Sequence, residues 1–142
     1  MKILNYSDIC RYKKVNGLYV LENDVFMDIN LCDDVNFRIQ VDKGAMTDGL
    51  SVPKIFRWYL KDWDDDNALY NVAGIVHDGC YGAELVAKSL ADEIFYYGLL
   101  KAGISSTKAK VARWAVENLA GLHYGREHDD YGISEYVHLE II

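Results

Sequence analysis

"NALYNVAGIVHDGCYG", residues 67–82, decides how the chain is read. Leu69, Val72, Ala73, Val76 and Cys80 recur at spacings of three and four, and a glycine closes the run. That periodicity predicts a helix with an apolar face. Its last turns nevertheless carry "HDGCYG", residues 77–82. A histidine and an aspartate inside an apolar helix are costly to bury unless each finds a partner. They are either a satisfied polar island in a core or the place where chemistry happens.

Two more helices are predicted after it. "SLADEIFYYGLLKAG" (89–103) places Leu90, Ile94, Tyr97 and Leu100 or Lys101 in register, with Ser89 as cap and Gly103 as stop. "SSTKAKVARWAVENLAG" (105–121) offers Ser105 or Ser106 as cap, Val111, Trp114 or Ala115, and Leu119 as its stripe, and Gly121 as stop. The first half reads differently. "GLYVL" (17–21), "VFMDINL" (25–31) and "NFRIQV" (36–41) are short, β-branched and aromatic, and are separated by Asn- and Asp-bearing turns. They predict an antiparallel β-meander. "DKGAMTDGLSVP" (42–53) follows as a loop holding the one proline of the chain. The turn-rich tail ends in "EYVHLEII", whose alternation predicts an added edge strand. The fold class is therefore α+β, an N-terminal antiparallel β-meander followed by a three-helix core. One domain spans 1–142: β-rich over 1–50, helical over 51–121, with a C-terminal extension over 122–142.

Composition bounds the function. The net charge is −7 and basic residues are scattered, so nucleic acid is not the expected partner. No apolar run approaches the roughly 20 residues of a membrane span, and the N-terminal stretch does not read as a secretory signal. Three cysteines, Cys10, Cys32 and Cys80, are odd in number and widely spaced, which predicts reduced thiols in a cytosol. The location expected from these features is a cytosol.

Geometry links two of the polar residues. The hinge between the first two helices runs from about Gly82 to Lys88, short enough to make them antiparallel neighbours. His77 lies one to two turns before it and Asp92 about one turn after, so they meet at similar heights. A carboxylate bonded to one imidazole nitrogen fixes the tautomer and frees the other nitrogen for a proton from water. Asp78 points about 100° away, towards a different neighbour such as the glycine-bearing loop.

"HDGCY…ADEIF" is similar to the phospholipase A2 pattern, in which one helix carries His-Asp-x-x-Tyr and an antiparallel helix an Asp before an aromatic residue. That resemblance implies His77 as the base that activates water, Asp78 as a calcium carboxylate, and Tyr81 and Asp92 as the groups that orient the histidine. A longer stretch, from about Phe37 to Gly121, resembles the phage-associated domain of unknown function 1353. Its hallmarks stand here as "GAMTDGLSVP", "HDGCY" and "ADEIF", and Lys88 occupies the place of its usual basic residue. The resemblance implies an origin in tailed bacteriophages or prophages, and with it a location in the host cytoplasm, with association to a virion as the variant of it.

Plainer readings stand beside these. His77 and Asp92 suffice to satisfy one another between helices. Asp48 fits an Asx-type turn or a cap ahead of "VPKIF", and Ser51 before Val52-Pro53 fits a helix cap better than a nucleophile. "DWDDD" (62–66) lacks the glycine and terminal glutamate of an EF-hand and reads as a solvated acidic loop. Cys80 reads as a small core residue. His123, His128 and His138 show no metal-ligand spacing.

Two functions remain open. One is a small hydrolase, esterase- or amidase-like, in which His77, Asp92 and Tyr81 form the catalytic group beside a divalent metal, calcium or zinc, held by Asp78 and Asp48. Its substrate would come from the cell envelope. The other is a non-catalytic virion or host-interaction protein, whose partner is a phage structural or host protein and whose His-Asp cluster is a structural staple.

Overall fold

A computed structural model describes residues 1–50, 59–119 and 124–142. Among these residues seven strands and three α-helices follow in order: β1 (Lys2–Tyr6), β2 (Tyr12–Val15), β3 (Leu18–Leu21), β4 (Val25–Cys32), β5 (Val35–Val41), β6 (Met46–Thr47), α1 (Ala68–Ala83), α2 (Lys88–Lys101), α3 (Ser106–Leu119) and β7 (Val137–Ile141). An antiparallel β region precedes a helical one, as expected of an α+β fold.

The strands form two sheets. One is ordered β1-β4-β5-β7, the other β2-β3-β6. Leu18–Leu21 is thus not the first strand of a single meander. Asn16 and Gly17, with φ of 52° and 80°, close a two-residue turn that commits β3 to β2. Both residues at positive φ give the type of turn whose twist suits a hairpin. β6 takes the other edge of β3, pairing Tyr19 with Thr47. β1 and β2 were not among the expected strands. β7 is, and it pairs with β5 at the sheet edge.

Strand alternation builds a two-layer molecule. Val25, Met27 and Ile29 of β4 and Phe37, Ile39 and Val41 of β5 turn one way and are buried. The opposite face is polar, and there Arg38 grips Asp28 through two bonds of 2.7 and 2.9 Å. α1 lies on the apolar face: a Cβ added at Gly79 would stand 3.0 Å from Val137 and 3.6 Å from Val41. Every residue of α1 except Ala68 and Asp78 is buried, so sheet, helices and tail enclose it on all sides.

The other two helices are rotated from their expected stripes. α2 buries Ala91, Asp92, Ile94, Phe95, Gly98 and Leu99, leaving Leu90, Tyr97 and Leu100 half-buried. α3 buries Ala109, Ala112, Ala115 and Val116, while Trp114 and Leu119 are 52% and 46% exposed. Small residues carry both seams, and close approach rewards them over bulk. A Cβ at Gly98, for example, would meet that of Ala73 at 3.1 Å. α2 begins at Lys88 behind Ala87 rather than behind a Ser89 cap. Ser105 does cap α3, its Oγ accepting from the Lys108 amide at 3.3 Å. The expectations for Ser51, the "VPKIF" cap, Gly121 and His123 lie outside the described residues.

Candidate functional site

His77 sits two turns from the end of α1, and Asp92 at the fifth position of α2. Glu84 adopts a left-handed conformation, φ 51° and ψ 40°, and its amide reaches back to Cys80 O and Tyr81 O. That cap stops α1 sharply, and the short connection returns the chain as an antiparallel neighbour. The two side chains then meet: His77 Nε2 lies 2.8 Å from Asp92 Oδ1. Their exposures are 3% and 1%.

Asp92 gathers more than the histidine. Tyr81, one turn beyond His77, donates its hydroxyl to the same Oδ1 at 2.5 Å. Lys88, one turn before Asp92 on α2, donates to Oδ2 at 2.8 Å and also to Val116 O at 3.1 Å. One carboxylate therefore ties α1 and α2, and its ammonium partner ties both to the last turn of α3. The rings of His77 and Tyr81 are 4.1 Å apart, and Phe95 closes on the imidazole at 4.8 Å.

Electrostatics fix the protonation. Burial lowers the His77 pKa, and this outweighs the opposing pull of Asp92. Burial alone would raise the Asp92 carboxyl, but the bonds from His77, Lys88 and Tyr81 hold it below the ordinary carboxylate range. The cluster at neutral pH is thus one anion, Asp92, one cation, Lys88, and two neutral donors. With Nε2–H given to Asp92, water activation falls to Nδ1, on a side chain that meets almost no solvent. Tyr81, expected with Asp92 to orient the histidine, bonds the same carboxylate oxygen that His77 does.

Asp78 and Asp48 form a separate group. Asp78 is, with Ala68, one of the two partly exposed residues of α1, and its Oδ2 accepts from the Thr47 hydroxyl at 2.8 Å. Thr47 also accepts from the Gly49 amide at 3.1 Å, so the hydroxyl organises the loop while holding α1. Thr47 at the end of β6 is buried, and Asp48 just beyond it is exposed. Burial raises the Tyr131 phenol, and the charges of Asp48, Asp130 and Asp78 raise it further. Gly49 is required there. Its φ is 94°, and a Cβ would lie 2.6 Å from Asp62 O.

The fit to a divalent ion is incomplete. Among the described residues no three His, Cys, Asp or Glu side chains gather as a ligand set. Calcium asks for six to eight oxygens and zinc for nitrogen or sulfur donors, and His77 is turned away to Asp92. Two residues at these sites were not singled out from the sequence. Thr47 stood beside Asp48 in the motif, and the inward position of a strand was its signal. Tyr131 carried no sequence signal, because the tail returns to α1 only in three dimensions.

Other expectations resolve simply. Cys80 is fully buried, its thiol pushed up to about 12 by desolvation. The 62–66 stretch is partly folded in: Trp63 is buried and stacks on Tyr19 at 4.2 Å, and the Asp64 amide and carbonyl both bond the Asn71 side-chain amide. His138 bonds Asp42 at 2.6 Å.

A family model described as "Protein of unknown function (DUF1353)" matches residues 23–116, about two thirds of the chain. The chain belongs to that family. The DUF1353 match runs from the turn before β4 into α3 and takes in Thr47, Asp48, His77, Asp78, Tyr81, Lys88 and Asp92. No curated protein and no solved structure matches this DUF1353 chain. No helix among the described residues is long and apolar enough to cross a membrane.

Proposed function

We propose that this is a non-catalytic virion or host-interaction protein of phage or prophage origin, in which the His77–Asp92 cluster is a structural staple. The burial of the cluster carries this reading: a histidine 3% exposed and a carboxylate 1% exposed leave a water nucleophile no room to arrive and leave. The donors around Asp92 also match what a load between three helices requires. A chain with eleven tyrosines, most of them at least partly accessible, and a net charge of −7 suits protein contacts. Thermal unfolding tests it. The wild-type Tm is expected to ignore added calcium and zinc, while His77→Gln lowers it.

A second reading keeps one observation of its own. Asp78 bonds Thr47, the residue before the exposed Asp48, so a cation on this loop would have two carboxylates to begin with. That reading requires calcium or zinc to raise the Tm, by about 2.7 kcal/mol of stability at a hundredfold excess over Kd. Asp78→Asn must erase the rise, and His77→Gln must abolish a hydrolytic activity without erasing it.

A further inference from the structure

The two edges of the larger sheet differ. At β1 the register shifts between Ile3 and Asn5, a bulge that spoils the edge for pairing. β7 pairs with β5 without interruption, from Val137↔Val41 to Ile141↔Phe37. The Asp42 amide donates to Tyr136 O at 2.8 Å and the Ile142 amide to Asn36 O at 3.0 Å, bracketing that ladder. Peptide groups alternate sides along a strand, so His138 and Glu140 direct theirs to β5, while Val137, Leu139 and Ile141 direct theirs outward. Among the described residues no strand takes up those outward groups. Ile141 beside them is 74% exposed and Ile142 52%.

We propose that two copies of this chain pair through β7, antiparallel about a two-fold axis at Leu139. In that register Leu139 faces its counterpart and Val137 faces Ile141 of the partner subunit. Every outward N–H and C=O of the three residues is then bonded. His138 falls opposite Glu140 of the partner subunit, at the close positions where side chains interact most, and the symmetry makes the pair twice. Charge selects the register. An axis moved one residue either way sets His138 against itself or Glu140 against itself. Within its own sheet Glu140 stands opposite Arg38, whose guanidinium is committed to Asp28, and His138 touches Asp42. Both keep an exposed side free for the partner. The pairing does not depend on whether the His77 cluster is a staple.

Sedimentation equilibrium of the full chain across a concentration series tests this. The wild type is expected to approach twice 16.2 kDa. Glu140→Lys, which sets a cation opposite His138, is expected to weaken the dimer about tenfold or more. His138→Glu added to Glu140→Lys reverses both partners and is expected to restore it. Ile141→Pro removes an outward amide that bonds nothing in its own sheet, so it is expected to yield a monomer with an unchanged circular dichroism spectrum. A wild type that stays at the monomer mass overturns the pairing. So does a dimer indifferent to Ile141→Pro and Glu140→Lys, or one that the double variant does not restore.

Discussion

At Asp92 three donors converge on one carboxylate, and the consequences of removing them are unequal. Tyr81→Phe deletes one bond to a charged acceptor and leaves no buried orphan, so a loss of about 1.5–3 kcal/mol is expected in urea unfolding. Asp92→Asn strips the charge that Lys88 and His77 address, and an uncompensated partner in the core is expected to cost about 3–5 kcal/mol. The two changes share a site, so the double variant should lose less than the sum. The pH dependence has a definite sign. His77 has a lowered pKa in the folded state, so the unfolded chain binds its proton first as pH falls. Stability is expected to decline from about pH 6.5 downward, and Asp92, lowered from 3.8, adds a second decline at more acid pH. His77→Gln should flatten the first decline and keep the second. The His77–Asp92 contact was legible in the sequence, because helix periodicity and a short hinge set both heights. The bonds of Lys88 to α3 carbonyls were not, since they require knowing where the end of another helix lies.

Among the elements, α1 is positioned by glycines that a propensity argument counts against it. Gly74 admits Leu50, Gly79 admits Val137, and Gly82 admits Ile133 and Asp129. Gly79→Ala sets a methyl against a stiff, β-branched neighbour, and about 1–3 kcal/mol of overpacking is expected, read as a lower urea midpoint at unchanged m-value. Gly49→Ala is expected to cost at least about 1–2 kcal/mol for its backbone conformation alone, and it should also disturb the Thr47–Asp78 bond. Helix existence and the β7 edge strand were readable from periodicity. The seams of α2 and α3 were misread because their contacts run through alanine and glycine, whereas a hydrophobic pattern is judged by its large residues. The Asn16–Gly17 turn was a local signal that would have separated β3 from β4.

At the scale of the molecule, one apolar cluster joins Tyr19 and Trp63 beside the small sheet to Ile39 of the large one and to Val76, Phe95 and Val116 of the helices. A shared core predicts one cooperative transition, with tryptophan fluorescence and far-ultraviolet dichroism losing signal at the same denaturant concentration. Separate transitions would divide the β and helical halves. What made the α+β order readable is the switch of hydrophobic period near residue 67. What kept the site's character hidden is burial, because the same His-Asp pair serves a cleft or a core and only packing decides. Solvent access at His77 is therefore the central claim, and nitrogen NMR of its ring tests that claim most directly. The account predicts a neutral Nε2–H tautomer that exchanges slowly and does not titrate through its ordinary midpoint near pH 6.5. A ring that exchanges fast and titrates there would contradict it.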